Sequence, residues 1–402
     1  MNSIFNPLTF GYEWETMLVT QELGFCKKDI IQSFARLMQK ELNMPVGCDF
    51  ASRDVLLLEI RSSILNNLEK LIKSVDAQVE YVRKNCKEKN ILFFPCGTHP
   101  LLGNPVGLHI HLGSIYNHPE ATKLANALIK YAPCFSAISV NSPVVYKALD
   151  TFKSSRVAKY ASHCSRVRVV QNPKFAQFTW GDDVCVKVDW YSTIELRIPD
   201  CPSSIQFLKE FIAFVVAFVL NTPPETEELS YKQYREYIIN RFYSAKYGLQ
   251  AKFLWDGEFV PVTCILKNML ESIDFGELGK FKFKLIPIMI EKRLTQADWQ
   301  MELYDSIKDP FAFTDIFVKA LQDGDPFYEW ILEEDTELPV IEPVKIEDYI
   351  LQHIGRETPY IAIQELLLLP YYEVDKYLAK LKETHKIKEE KDPKYGRRFS
   401  TR

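Results

Sequence analysis

Two imidazoles, four carboxylates and a guanidinium sit in four stretches of the same construction. In Gly107-Leu108-His109-Ile110-His111-Leu112-Gly113, apolar residues alternate with His109 and His111, the period-two pattern of a strand with one face in a core and the other toward a polar cavity. Thr9 to Val19 puts Glu13 and Glu15 on one face, with Tyr12, Trp14 and Leu18 as apolar bulk. Trp190 to Asp200 puts Glu195 and Arg197 on one face and Ile194, Leu196 and Ile198 on the other, and the shorter Val55 to Arg61 adds Glu59. Buried histidines satisfied by ordinary hydrogen bonds are common, and each acidic pair alone would suit the rim of an antiparallel sheet. Together, four such strands would aim their polar groups into one space. Crowded carboxylates repel one another and need hard cations among them, and Mg²⁺ keeps open positions for phosphate oxygens. The set reads as a nucleotide-triphosphate site.

The elements that must position these groups follow from the pattern around them. Helical spacing predicts helices over Lys28 to Leu42, Leu65 to Lys84, Pro119 to Tyr131, Ser203 to Leu220 and Tyr231 to Lys246, with Gly248 as a C-terminal stop. Pro133 to Val140 continues a helical or buried pattern, and helices dominate from Gly248 to about Glu334. Ile91 to Pro95 reads as a short strand ending in a turn that carries His99. Gly47 to Asp54 reads as a loop, in which Asp49 or Asp54 could add a metal oxygen, although loop aspartates more often form turns. Lys147 to Arg168 is basic, with Lys147, Lys153, Arg156, Lys159, Arg166 and Arg168 against Asp150 alone, which suits anionic ligands as well as a solvated surface.

Composition bounds the class. The chain has 402 residues, a formal charge of -4, 25% charged and 47% apolar residues, which describes a globular protein with no general bias toward nucleic acid or membrane. Nine cysteines stand singly from Cys26 to Cys264 without a C-x-x-C, which favours reduced thiols in a cytoplasm over a zinc ribbon or disulfide scaffold. The longest apolar run, Phe211 to Leu220, is too short to span a bilayer, and no basic region followed by an apolar run suggests a signal peptide. Neither a G-x-x-x-x-G-K-[ST] nor a G-x-G-x-x-G occurs, so phosphate would not be handled by a glycine loop.

These segments, in order across roughly residues 8 to 300, resemble the glutamate–cysteine ligase family 2, the carboxylate–amine ligases. Phe10-Gly11-Tyr12-Glu13-Trp14-Glu15 is similar to the family's opening strand, Leu58-Glu59-Ile60 to its next acidic strand, and Gly107 to Gly113 to its Gly-x-His-x-His-x-Gly strand. Gly97-Thr98-His99-Pro100, Asn141-Ser142-Pro143, Ser154-Ser155-Arg156, Thr193-Ile-Glu195-Leu-Arg197 and Ser244-Ala-Lys-Tyr-Gly-Leu249 continue the series. The chain departs from the pattern at Tyr146 to Asp150, where glycines are frequent, and at Arg61, where a small residue is commoner. The resemblance implies an α+β fold of the glutamine synthetase/guanido kinase type, a curved antiparallel sheet with helices outside. It also implies ATP as co-substrate and a phosphorylated carboxylate attacked by an amine, with glutamate and cysteine as the expected pair. On this expectation Glu13, Glu15, Glu59, His109 and Glu195 hold two or three Mg²⁺ ions, and Arg197 with Glu195 is catalytic. His99, His111, Arg156 and Asn141 then bind substrate, and Lys246, with Arg197, contacts the nucleotide.

Domain boundaries are expected at 1–335 for the ligase, 336–344 for an acidic, proline-bearing linker, and 345–402 for a small module. That module reads as helices over Ile346 to Ile354, Ile361 to Leu368 and Glu373 to Thr384, followed by a hairpin from Ile387 to Phe399. Three short helices and a hairpin describe a winged helix-turn-helix, a type that contacts nucleic acid or protein. Lys376 to Arg402 holds ten lysines and arginines against four acidic residues. Two other functions are therefore open: a ligand-sensing DNA-binding regulator built on a ligase-like domain, and a zinc hydrolase using the histidine pair, against which the absence of a His-Glu-x-x-His helix counts. A homo-oligomer acting on small molecules, away from membranes, is expected.

Overall fold

The computed structural model describes residues 8–401 except 53–54, 117, 162–163, 165–180, 189–191, 224–228, 279–280, 344, 354–357, 361–362, 364–370 and 393–395. The chain divides into two compact units, Met1–Val340 and Ile341–Arg402. The first is built on a seven-stranded sheet: β1 (Thr9–Val19), β2 (Val46–Ser52), β3 (Val55–Arg61), β4 (Leu92–Phe94), β5 (Leu108–Gly113), β8 (Val184–Lys187) and β9 (Thr193–Leu196), with a separate small ladder of β6 (Val144–Val145) and β7 (Ala148–Leu149). The order is β2-β3-β1-β5-β9-β8, every described pairing is antiparallel, and β4 pairs with the far end of β1.

Register decides which side chains share a face. Glu13 stands opposite both Arg61 and His109, Glu15 opposite Glu59, and His111 opposite Glu195. The alternate residues Tyr12, Trp14, Leu58, Ile60, Leu108, Ile110, Leu112, Ile194 and Leu196 are all buried on the other face. A helical layer closes over the sheet, including Leu68–Glu88, His118–Ser139 and the almost wholly apolar Ile205–Asn221. The helix expected over Pro119 to Tyr131 and the helical or buried pattern of Pro133 to Val140 form one helix, His118–Ser139, with Pro133 inside it. The segment expected as a loop before the Glu59 strand is instead β2, which places Asp49 on a strand; Asp54 lies outside the described residues.

Beyond residue 248 the unit is mainly helical, but it begins with a hairpin absent from the sequence reading, β10 (Lys252–Trp255) and β11 (Glu258–Pro261). Its turn is Asp256-Gly257, both at positive φ, 54° and 101°, the dipeptide that two-residue hairpins favour. Glu210, fully buried on the helix Ile205–Asn221, caps the start of the helix Leu285–Lys292, its two oxygens accepting the N–H groups of Lys284, Leu285 and Ile286 at 2.8–2.9 Å. No helix among the described residues is long and apolar enough to cross a membrane.

The second unit, taken by itself, contains the helices Ile346–His353 and Tyr371–Glu383 and a three-stranded sheet ordered β12-β14-β13, with β12 Thr358–Pro359, β13 Ile387–Asp392 and β14 Gly396–Thr401. Ile346, Ile350, Val374, Leu378, Leu381, Ile387 and Phe399 form its core. The helix expected over Ile361 to Leu368 falls largely outside the described residues. Many of the basic side chains pair internally: Lys380 with Glu347, Lys382 with Glu389, and Arg397 with both Glu389 and Asp375.

Glu210→Ala leaves three N–H groups of one helix end, two of them buried, without an acceptor and removes a negative charge from its positive pole. It is expected to lower unfolding free energy by roughly 2–4 kcal/mol. Chemical denaturation of the full chain measures this, and a loss below about 1 kcal/mol would contradict the capping role.

Candidate active site

Glu13 is the centre of the polar face. One of its carboxylate oxygens lies 3.5 Å from His109 Nδ1 and 3.4 Å from His111 Nε2, and the other lies 3.7 Å from Arg61 Nε. Glu195 Oε1 approaches the same two imidazole nitrogens at 3.5 and 3.6 Å. Two overlapping triples thus have ligand atoms within 4.8 Å of one another, Glu13–His111–Glu195 and Glu13–Glu59–His109. Glu13 is common to both. His111 Nε2 is buried between two carboxylates yet makes no hydrogen bond with either, as suits an imidazole lone pair aimed at a cation. Carboxylate and imidazole donors fit Mg²⁺ or Mn²⁺, with carboxylates in the majority.

Cations on the same face set the electrostatics. Arg197 Nη1 donates to Glu195 Oε1 at 2.7 Å, and Lys187 Nζ lies 2.5 Å from Glu195 Oε2. Burial alone would raise the Glu195 carboxyl; the charges of Arg197, His111, His109 and Lys187 overcome this and bring it down to about 2. Glu13 is likewise pushed up by burial, but the two imidazoles beside it, His109 and His111, hold it well below the usual carboxylate range. Glu59 goes the other way. Burial and the neighbouring Glu13 raise it to about 7, with Arg61 opposing.

Beside the cluster is a cavity of about 250 Å³ whose lining includes Glu15, Asp49, His109, Arg156, Asp183 and Arg197. Glu15 is fixed there by the Gly107 N–H, which donates to Oε2 at 2.6 Å. Arg156 packs flat on Gly107, where a Cβ would fall 2.3 Å from its Nη2, so only glycine leaves room. Its guanidinium donates to the carbonyls of Ile198 and Arg197 at 3.0 and 2.9 Å. Burial lowers its pKa, partly offset by Asp200. A larger cavity, about 750 Å³, lies elsewhere, between the helix Leu68–Glu88 and residues 322–325.

The sequence-derived set separates accordingly. Glu13, Glu15, Glu59, His109, His111, Glu195, Arg197 and Arg156 converge on the cluster and cavity. His111, assigned beforehand to substrate, stands among the groups able to hold a cation, because its register partner is Glu195 and both face Glu13. Three residues do not converge. Asn141 is buried among Asp200, Ser203, Cys201 and Gln300; its backbone N–H and the hydroxyls of Ser142 and Ser154 all donate to Asp200. That network supports Arg156 from behind. Lys246 lies over the ring of Phe152, 5.1 Å from its centroid. His99 is buried away from the cavity lining, its Nε2 2.9 Å from the Leu23 carbonyl and its Nδ1 accepting the Leu101 N–H.

Lys187 and Asp183 were missed. Lys187 ends β8 on the cluster face, two residues beyond Cys185, the register partner of Glu195. Asp183 holds Tyr237 at 2.5 Å and Arg241 at 2.6 Å, and its carbonyl accepts the Arg197 N–H at 2.8 Å. Alternation could have found the lysine; the aspartate depends on contacts more than 50 residues away.

No protein-family model matches the chain. Curated relatives that it resembles carry the provisional name glutamate–cysteine ligase 2. The protein of Paracidovorax citrulli is 25% identical over 317 residues, covering 67% of this chain and 82% of the relative. That of Acidovorax ebreus is 23% identical over 320 residues with the same coverage. Among solved structures, the glutamate–cysteine ligase of Francisella tularensis in complex with AMP superposes with a TM-score of 0.53 at 12% identity, covering 94% of both chains. A bifunctional glutathione synthetase from Pasteurella multocida gives 0.54 at 13% identity over 79% of this chain, which spans about half (52%) of that enzyme. The structural likeness shows a fold shared with these two enzymes, and the sequence matches are to proteins named as glutamate–cysteine ligases.

The placement of His99 has a consequence for stability. Burial lowers its pKa from 6.5 to about 4, so the ring is neutral in the fold and the unfolded chain takes up the proton first. Its contribution is complete above pH 6.5 and is lost as pH falls to 4, a decline of about 3 kcal/mol. Denaturation of wild type and His99→Gln across that window is expected to show the wild type losing more, by roughly that amount; parallel curves would place the imidazole in contact with water.

Proposed function

We propose that this chain is an ATP-dependent carboxylate–amine ligase, which phosphorylates a carboxylate and gives the acyl group to an amine, with glutamate and cysteine as the substrate pair and γ-glutamylcysteine as product. The observation that carries the reading is Glu13, shared by two overlapping carboxylate–imidazole triples on the face of an antiparallel sheet and flanked by guanidinium groups. Named ligases among the relatives and the ligase fold support it from a separate direction.

A carboxylate is a poor acyl donor because oxide is a bad leaving group; phosphorylation replaces it with phosphate. Glu13, Glu59, His109, His111 and Glu195 would hold Mg²⁺, with Glu15 beside them, and bound Mg²⁺ would neutralise the triphosphate and polarise its transferring phosphorus. The chain's own task is positioning and charge compensation. Arg197, paired with Glu195 at the cavity wall, places a cation where negative charge develops on the transferred group. Arg156, anchored through two carbonyls and backed by Asp200, offers an immobile guanidinium to a substrate carboxylate. Asp49 and Glu15 give the same cavity the negative charge that an amino acid's ammonium requires. The amine then attacks the acyl phosphate, and amide, ADP and phosphate leave. The catalytic part is assigned to residues 1–335 and the linker to 336–344. Residues 345–402 are read as a winged-helix-type module, on the support of two helices and a sheet hairpin.

The test is ADP release by the full chain with Mg²⁺, ATP and glutamate, against a panel of amines including cysteine. Amine-dependent turnover is expected, with Glu195→Gln lowering it by about 10²-fold or more. Turnover with another amine keeps the ligase and changes the substrate. Silence with every amine, in a chain that still binds ATP, overturns the reading in favour of a sensor; binding to duplex DNA that weakens steeply with salt would then be sought.

A further inference from the structure

The Glu13–Glu59 corner of the cluster already contains a cation. Arg61 ends β3 on the same face as Glu59 and pairs through Nη2 with Glu59 Oε2, while its Nε lies 3.7 Å from Glu13 Oε1. Those two carboxylates belong to the second of the two triples. Asp49 adds a third negative charge facing the guanidinium.

The backbone around this contact is shaped for it. On the neighbouring strand, Gly47 stands opposite Glu59, and a Cβ there would fall 2.7 Å from Arg61 Cζ, 2.8 Å from its Nη2 and 2.7 Å from Glu59 Oε2. Glycine thus leaves the space in which the ion pair lies. The strand end is also held, because the Arg61 carbonyl accepts the Gln78 side-chain N–H at 2.7 Å, and Gln78 is fully buried against the Tyr12 hydroxyl. At the Glu13–His111–Glu195 corner the cations pair with the outer acid: Lys187 and Arg197 reach Glu195, Arg197 Nη1 also lies 3.4 Å from His109 Nδ1, and the His111 nitrogen is buried between carboxylates with no hydrogen-bond partner.

We propose that the Arg61 guanidinium serves as the resident cation of the Glu13–Glu59 corner in place of a second divalent ion, so that the side chains by themselves hold one ion, at Glu13, His111 and Glu195. This rests on the metal-dependent reading of the site above and refines it. A guanidinium a few ångströms from a divalent ion repels it strongly even at an effective dielectric of 20. A divalent ion entering the second triple must therefore either displace Arg61 from Glu59 or bind weakly beside it. Any further ion arrives with the nucleotide, on phosphate oxygens.

The experiment counts Mn²⁺ bound to the full chain without nucleotide, by electron paramagnetic resonance of free Mn²⁺ and by calorimetry, for wild type, Arg61→Met and Arg61→Lys. Melting in ion-free buffer checks that each variant is folded. Wild type is expected to bind one ion tightly. Arg61→Met is expected to bind two, the second at least ~10-fold tighter than any second ion in wild type, and Arg61→Lys to return toward one. Two equally tight ions in wild type, or one in a folded Arg61→Met, would overturn this assignment and leave the ligase reading standing. Absence of Mn²⁺ binding in all three would overturn the metal site itself. Wild type alone decides the matter if Arg61→Met does not fold.

Discussion

The structure depends on holding like charges together. Glu13, Glu15, Glu59 and Glu195 project from three strands onto one face, and two of them, Glu15 and Glu59, are direct register partners. Two unit charges 4 Å apart at an effective dielectric of 20 repel by about 4 kcal/mol, so the carboxylates resist the very pairing that assembles them. The opposite face supplies the counterweight. Trp14, Tyr12, Ile110, Leu58 and Leu196 are buried to within a few per cent of completely, and each large apolar side chain removed from water contributes roughly 1.5–3 kcal/mol. Because side chains alternate strictly, a slip of one residue would place the acids in the core and the aromatics in the cavity. Repulsion and burial therefore enforce the same register.

That coupling is why so much of the site was legible beforehand. The alternation around His109 and His111, and around Glu13 and Glu15, carries face information without any knowledge of partners, and the strands formed where the pattern put them. What alternation cannot carry is which face-sharing residues end up adjacent across strands. His111 became a member of the cation-holding group only because β5 pairs with β9 so that it stands opposite Glu195. Asn141 and His99 occur in short motifs near polar residues, and sequence alone does not distinguish a polar group that faces a ligand from one that ties two loops together. In both cases burial removed them from the cavity and gave their polar atoms protein partners. The β10–β11 hairpin was different: its Asp256-Gly257 turn was visible, but the helical pattern on either side dominated the reading. For the second unit, the helix expected over Ile361 to Leu368 falls largely outside the described residues, and the expected hairpin is present as β13 and β14.

The cations divide by how firmly they are held. Arg156 is buried, lies on Gly107 and spends its donors on two backbone carbonyls, so its position is set by the fold. Arg197 has one carboxylate partner and a quarter of its side chain exposed, which leaves it able to follow a charge that moves. The proposed reaction, which first transfers a phosphoryl group and then expels phosphate, needs both kinds: a fixed cation to keep one carboxylate in register, and an adaptable one where charge develops.

The same distinction applies to the acids. A carboxylate paired with a protein cation is neutralised in every state of the enzyme, whereas one matched only by a dissociable ion is neutralised when that ion is bound. Glu195 is touched by Arg197 and Lys187, and Glu59 by Arg61. Glu13 has no comparably close protein cation, its contacts being imidazoles at 3.4–3.5 Å and Arg61 Nε at 3.7 Å. It stands at the junction of the two corners, where an added positive charge would interact with the most carboxylates at once. On the proposed function, a chain that neutralises its outer acids with its own side chains and leaves the central one to a bound ion keeps the sheet face intact before substrate arrives, and still reserves one strong electrostatic change for the moment when nucleotide enters.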